Sequence, residues 1–341
     1  MVKPENATES LVKFVLVVIL TEKSQSKLRK LDMKILGIGN AIVDVICKVE
    51  DDFITKNKLT KSTMKLIFDE SEFKKLLSNL KIEKTVSGGS VANSIVGLSQ
   101  LGNEVGFIGK VNNDELGSKY EDGLKQENVK YFYTKKKEDL PTGTCLILVT
   151  PDSERTMCTF LGTAGKINAN DVNSDAIKQS EIILLEGYLW DEGEPKKAFE
   201  KAILSANKVA MSLSDQFCVD RHKSHFLELV KNKLDITFAN EQEIMSLIDA
   251  KSFDEVISFS KSLGKIIVLT RGQKGAVAIN GNEVVECGIK EGLKIVDLTG
   301  AGDLFAAGFL HGHVNNMSLK DSLDKGTEMS SKVIQQIGAR L

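Results

Sequence analysis

In the second half of the chain, apolar positions gather into short aliphatic and β-branched runs separated by stretches with helical spacing. Ile182–Glu186, Lys208–Leu213, Asp235–Phe238 and Ile266–Thr270 read as strands, and Pro195–Ala206, His222–Asn232, Glu241–Ile248 and Phe253–Leu263 as helices. Strands alternating with helices at this interval predict a parallel, doubly wound sheet. Nearer the N-terminus, Ile35, Leu36 and Ile38 mark a buried strand, and alternation over Ile42–Ile46 marks another. Met64–Phe68 and Val105–Ile108 also read as strands; Glu70–Leu80, Ser90–Leu101 and Glu115–Gln126 read as helices, as does Leu319–Gln335. Thr142–Phe160 reads as a hairpin turning at Pro151-Asp152-Ser153, which would form a small separate sheet with the strands near Val43–Val49 and Met64–Phe68. The expected fold class is α/β: a central, mostly parallel sheet flanked by helices, with a second, smaller β-sheet.

Leu11–Leu20 is a nearly unbroken apolar run, but a bilayer span needs about 20 residues. Glu5 and Glu9 ahead of it, and TEKSQSKLRK after it in place of a small-residue cleavage site, argue against a signal peptide. Residues 1–32 are expected to be a non-core extension, with residues 33–341 forming one domain. With 45 basic and 47 acidic residues the net charge is −2, which gives no electrostatic case for nucleic acid. The five scattered cysteines suit reduced thiols in the cytoplasm, with no disulfide frame or zinc site. Neither histidine pair has a metal-binding context.

Residues 295–313 carry the densest chemistry. Ile295 and Val296 suggest a strand, Gly300-Ala301-Gly302 a tight turn, and Asp303 the start of an apolar helix. Unpartnered N–H groups at such a helix start favour an anion. Asp303 admits two readings: an ordinary capping carboxylate, or a base that deprotonates a hydroxyl attacking a phosphoryl group. Asp44 is a lone carboxylate in an apolar strand, either solvent-facing or accepting from vicinal hydroxyls. Gly88-Gly89 opens a helix and permits close approach of a small ligand. Gly37-Ile38-Gly39 begins like a dinucleotide fingerprint, but Ile42 stands at its third glycine and a strand follows, which opposes an oxidoreductase.

Asp297–Asp303, DLTGAGD, resembles the D-x-x-G-A-G-D signature of the ribokinase-like (pfkB-type) carbohydrate and nucleoside kinases. Gly88, Gly89 and Asn93 match that family's earlier G-G-x-x-x-N signature, in the expected order. Gly109-x-Val111-x-x-Asp114-x-x-Gly117 follows the run after it, although Lys110-Val111 stands where many members have Val-Gly. Asn240–Glu243 matches N-x-x-E, and Thr270, Gly272 and Gly275 match T-x-G-x-x-G. As isolated motifs these last two also fit a helix cap and a hairpin turn.

The resemblance covers roughly residues 33–341 and implies a phosphotransferase using ATP and Mg²⁺, with a monovalent cation such as K⁺ possible. It implies Asp303 as general base and the amides of Gly300, Ala301, Gly302 and Asp303 as the anion hole. Asn40, Asp44, Gly88, Gly89, Asn93 and Arg155 would hold the acceptor, Asp44 taking ribose hydroxyls. Asn240, Thr270, Gly272 and Gly275 would border the nucleotide, and Glu243 would organise water around Mg²⁺. The small sheet, with strands within about 42–68 and 142–160, would act as a lid over the sugar site. The runs GIGNAIVD and SGGSVAN are similar to the adenosine-kinase-like branch, so adenosine is the first expected acceptor and ribose or fructose the alternative. No membrane or nucleic acid partner is expected, and the assembly would be a monomer or homodimer. A non-catalytic ligand-binding protein on this fold is the rival from another class.

Overall fold

The computed structural model describes residues 33–61, 63–152, 154–190 and 193–341. The extension expected over residues 1–32 lies outside the described residues. The strands are β1 Met33–Ile38, β2 Ile42–Lys48, β3 Met64–Leu66, β4 Ile82–Ser87, β5 Val105–Ile108, β6 Lys130–Tyr131 and β7 Gly143–Val149. Then come β8 Arg155–Phe160, β9 Ser180–Glu186, β10 Val209–Ser212, β11 Ile236–Asn240, β12 Ile266–Thr270, β13 Ala276–Asn280 and β14 Glu283–Cys287. The helices of the first half are α1 Asp51–Lys56, α2 Glu70–Ser78, α3 Ser90–Gln100, α4 Glu115–Gln126 and α5 Ser174–Lys178. Those of the second half are α6 Glu194–Ser205, α7 Gln216–Asn232, α8 Glu241–Ile248, α9 Phe253–Leu263, α10 Ala301–Val314 and α11 Leu319–Val333.

Nine strands form the main sheet in the order β14-β13-β12-β11-β10-β9-β1-β5-β6. The strands from β12 to β6 pair in parallel, and β13 and β14 close one edge antiparallel. Its central strands are apolar on both faces, as a sheet sandwiched between helices requires. On β9, Ile182 and Leu184 join the core shared with α3, α10 and α11, while Ile183 and Leu185 join the core beneath α6 to α9.

The remaining strands form a second sheet in the order β3-β8-β7-β2-β4. Val43, Val45 and Cys47 of β2 enter the shared core together with Leu146, Leu148, Cys158 and Phe160. Alternation then places Ile42, Asp44 and Ile46 on the opposite face, where Cys145, Ile147 and the partly buried Met157 and Leu161 form a separate apolar patch.

Some expected elements change. Ile295 and Val296 are not a strand: both are exposed, and the Val296 and Asp297 N–H groups donate to the Ile334 carbonyl at the end of α11. β-Branched residues supply the propensity, but among the described residues no strand pairs with them. Helix α7 starts six residues before the expected His222, because Asp215 caps it by accepting from the Cys218 N–H; the backbone kinks at His222. The hairpin β13–β14 and strand β4 were not anticipated.

Candidate active site

Helix α10 begins at Gly300, whose φ of 79° is left-handed, and no side chain caps it. A side chain there would run into the backbone of Ala339, so only glycine fits. The Ala301 N–H turns back to the Leu298 carbonyl at 3.2 Å, so it is occupied by the turn itself. The next two amides, Gly302 and Asp303, are first-turn donors without intrahelical partners. Of the four amides expected to form the anion hole, Ala301 is thus the one taken up by the turn.

Asp303 does not cap its own helix. Its Oδ1 accepts from Ser90 Oγ at 2.6 Å and its Oδ2 from Asn93 Nδ2 at 3.0 Å. Ser94 Oγ donates to the Asp303 carbonyl at 2.9 Å. The first turns of α3 and α10 are thereby tied together through the carboxylate. Burial raises the Asp303 pKa, against the opposing pull of Ser90, Asn93 and the Arg340 guanidinium.

Asp44 stands on the open face of β2. Gly88, which follows β4, lies so close that a Cβ there would overlap the Asp44 carboxylate. Burial pushes Asp44 up to about 7; Arg340 and Arg155 oppose the rise and Asp303 adds to it. Gly89 caps α3 with φ 99°, and its space is closed by the Asn40 carbonyl. Asn40 itself is buried and donates from Nδ2 to Glu186 Oε1 at 2.8 Å. Glu186 Oε2 accepts from the Val91 N–H at 3.0 Å, completing the start of α3 from a distance. Burial holds Glu186 at about 7.

A cleft of about 250 Å³ runs between these groups and the ends of β11 and β12, with Ser90, Gly302 and Asp303 on one side and Asn240, Glu243 and Thr270 on the other. It lies at the C-terminal ends of parallel strands, where open α/β sheets bind ligands. Asn240 and Glu243 form a reciprocal capping box. Asn240 Oδ1 accepts from the Glu243 N–H at 2.8 Å, and Glu243 Oε2 from the Asn240 N–H at 3.0 Å. Burial raises Glu243 to about 7, with Asp215 adding to the rise. Gly272 and Gly275 flank a 3-10 turn joining β12 to β13, closed by Arg271 N–H to the Gly275 carbonyl at 2.8 Å.

Arg155 is engaged within the protein: it pairs with Asp297 at 2.6 Å. Asp297 also accepts from Thr299 N–H, Thr299 Oγ1 and the Gly338 N–H. One carboxylate thus joins the second sheet, the turn before α10 and the segment after α11. Sequence reasoning missed Ser90, Glu186 and Arg340. Glu186 had a signal, since it is a carboxylate ending an otherwise apolar strand; Arg340 had none.

No group of three or more His, Cys, Asp or Glu able to hold a metal is present among the described residues. The two carboxylates lining the cleft, Asp303 and Glu243, both already accept hydrogen bonds from protein donors. Glu243, already accepting at both oxygens, fits an outer role through water.

Residues 55–341 match the pfkB family carbohydrate kinases. The chain belongs to that family. The fold is similar to a probable sugar kinase from Rhizobium etli CFN 42, with TM-score 0.83 and 37% identity, covering 91% of this chain and 95% of that one. An adenosine kinase from Sinorhizobium meliloti gives TM-score 0.83 and 36% identity over 91% of this chain and 96% of that one. A 5-dehydro-2-deoxygluconokinase from Clostridium botulinum (strain Eklund 17B / Type B) is 27% identical over 286 residues, 78% of this chain and 84% of its own length. The family is one of kinases, so a phosphotransferase with ATP as donor follows from membership. Among the described residues no helix is long and apolar enough to cross a membrane.

Proposed function

We propose that this pfkB kinase transfers the γ-phosphoryl group of ATP to a primary hydroxyl of a nucleoside, with adenosine the first candidate. The observation that carries the transfer chemistry is the start of α10, where a half-buried carboxylate stands beside two unpartnered helix amides. An acceptor hydroxyl at Asp303 gives up its proton to the carboxylate as it attacks. Negative charge developing on the phosphoryl oxygens is met by the Gly302 and Asp303 N–H groups and by the positive end of the helix. Glu243 and Asn240 border the side of the cleft where magnesium bound with the nucleotide would neutralise phosphate charge. Ser90 and Asn93 keep the base turned away from its own helix.

The nucleoside reading draws on the open face of the second sheet. There Asp44 is surrounded by Ile42, Ile46, Cys145 and Ile147. A carboxylate within an apolar surface suits vicinal hydroxyls joined to a flat, apolar base. The second sheet would then cover the acceptor and exclude water, which limits loss of ATP to hydrolysis. A sugar acceptor is the second reading, favoured by the similarity to the Rhizobium etli sugar kinase.

ADP release by the purified chain with Mg·ATP tests both, using adenosine, inosine, ribose, fructose, fructose 6-phosphate and 5-dehydro-2-deoxygluconate. Adenosine is expected to give the highest kcat/KM; a sugar preferred over it would replace the acceptor and keep the mechanism. Asp303→Asn should lower kcat by about 10²- to 10⁴-fold with the fold intact. Near-normal turnover in that variant would remove Asp303 as the base.

A further inference from the structure

Arg340 follows α11 in a segment fastened to the signature turn before α10. The Ile334 carbonyl accepts from the Val296 and Asp297 N–H groups, the Gly338 N–H donates to Asp297 Oδ2 at 2.8 Å, and Ala339 abuts Gly300. This anchoring delivers the guanidinium behind the acceptor site. Its Nε donates to Asn93 Oδ1 at 3.0 Å, and Asn93 Nδ2 donates to Asp303 Oδ2 at 3.0 Å. Its Nη2 is buried and has no hydrogen-bond partner among the described residues.

An amide can present either its oxygen or its nitrogen to a neighbour. With Arg340 donating to the oxygen, Asn93 has only its N–H₂ group to offer Asp303. The flipped amide would set a donor against the guanidinium and an acceptor against the carboxylate. The guanidinium thus fixes which end of Asn93 meets Asp303.

We infer that Arg340 is a positioning residue for phosphoryl transfer: it orients Asn93 toward Asp303 and supplies the positive charge that keeps Asp303 ionised. The inference rests on the kinase reading of this site. Asp303 otherwise shares the site with the carboxylates of Asp44 from β2 and Glu186 from β9, which disfavour a further negative charge when ionised, and with the Tyr188 phenol from the turn after β9, which burial keeps uncharged. Ser90 and Asn93 donate to it from α3. Arg340 is the cation acting on Asp303, and its field lowers the pKa of both Asp303 and Asp44.

Three substitutions separate orientation from charge. Arg340→Met, lacking both, is expected to lower kcat about 10²-fold, the scale of a misplaced reacting group, with a smaller change in acceptor KM. The acidic limb of its kcat–pH profile should move to higher pH, because the base loses the cation that favours its ionised form. Arg340→Lys should restore the limb. Arg340→Gln, still able to donate to Asn93, should recover part of kcat while the limb stays displaced. In an Asn93→Ala background, Arg340→Met should cost little further kcat at pH above the limb, because orientation runs through Asn93, yet it should still move the limb, because the charge acts on Asp303 directly.

Wild-type kcat and an unmoved limb in Arg340→Met would overturn the role. So would a variant that loses only thermal stability. A ¹³C carboxyl titration of Asp303 in wild type and Arg340→Met gives a readout independent of turnover. If wild type phosphorylates no acceptor, the kinase reading fails by itself. In that case an upward move of the Asp303 titration supports Arg340 as its charge partner, and an unmoved one rejects it.

Discussion

Helices α8 and α10 both begin at the same cleft with an acidic residue in the third helical position, and they use it in opposite ways. In α8, Glu243 folds back to accept from the backbone N–H of its own cap, Asn240, which accepts from Glu243 in return. That end satisfies itself. In α10 the cap is Gly300, which has no side chain to offer, and Asp303 turns away to Ser90 and Asn93 of α3. The Asp303 N–H, which a capping side chain would have taken, is left over beside that of Gly302. Equal spacing, N-x-x-E and G-x-x-D, therefore gives a finished helix end in one case and an anion-ready end in the other. What decides between them is the presence of an acceptor at the cap and of competing donors on a neighbouring helix.

Gly300→Ala should break the contrast most severely. Alanine would be forced into a left-handed conformation and against Ala339, at about 1–3 kcal/mol. Urea denaturation should read that loss, and kcat should fall more than tenfold because the two free amides move with the turn. A variant with unchanged turnover would mean that the open end plays no part.

Asp44→Asn should act mainly on the acceptor, raising KM by roughly 10- to 100-fold for the loss of a charge-assisted acceptor of hydrogen bonds. Its effect on stability has the opposite sign. With a folded pKa of about 7, the native state holds a proton that the unfolded chain releases from its ordinary carboxylate range upward. Stability from this group is complete below that range and drains away as pH rises through about 7. Thermal melts should show Asp44→Asn stabilised more at about pH 8 than at about pH 5. Equal gains at both would return Asp44 to an ordinary environment.

The smallest effect belongs to Asn240→Ala. Removing one half of a capping box costs about 1 kcal/mol, on the order of 2–4 °C in Tm. Turnover should change by less than threefold. A collapse of kcat would show that the α8 end serves the reaction directly, and the distinction between the two helix starts would dissolve.

Much of this was legible in the sequence. The helices 115–126, 241–248 and 253–263 stand where periodicity places them, since each carries its own cap and apolar stripe. The signature glycines were readable because backbone geometry is local. Ile295 and Val296 misled because strand formation needs a partner, which propensity does not encode. Arg340 was invisible for a related reason. Its meaning comes from a return of the chain across 247 positions to Asn93, and neighbouring residues carry no trace of that path. The resemblance sets Arg155 among the acceptor-binding residues, but nothing local foretells its pairing with Asp297.

The near-coincidence of Gly88 with the Asp44 carboxylate also constrains this site. The acid occupies the volume that a side chain at 88 would fill, so a substitution there must push the Asp44 carboxylate out of its present place. A glycine that bears no group of its own thus sets where the acid opposite can stand.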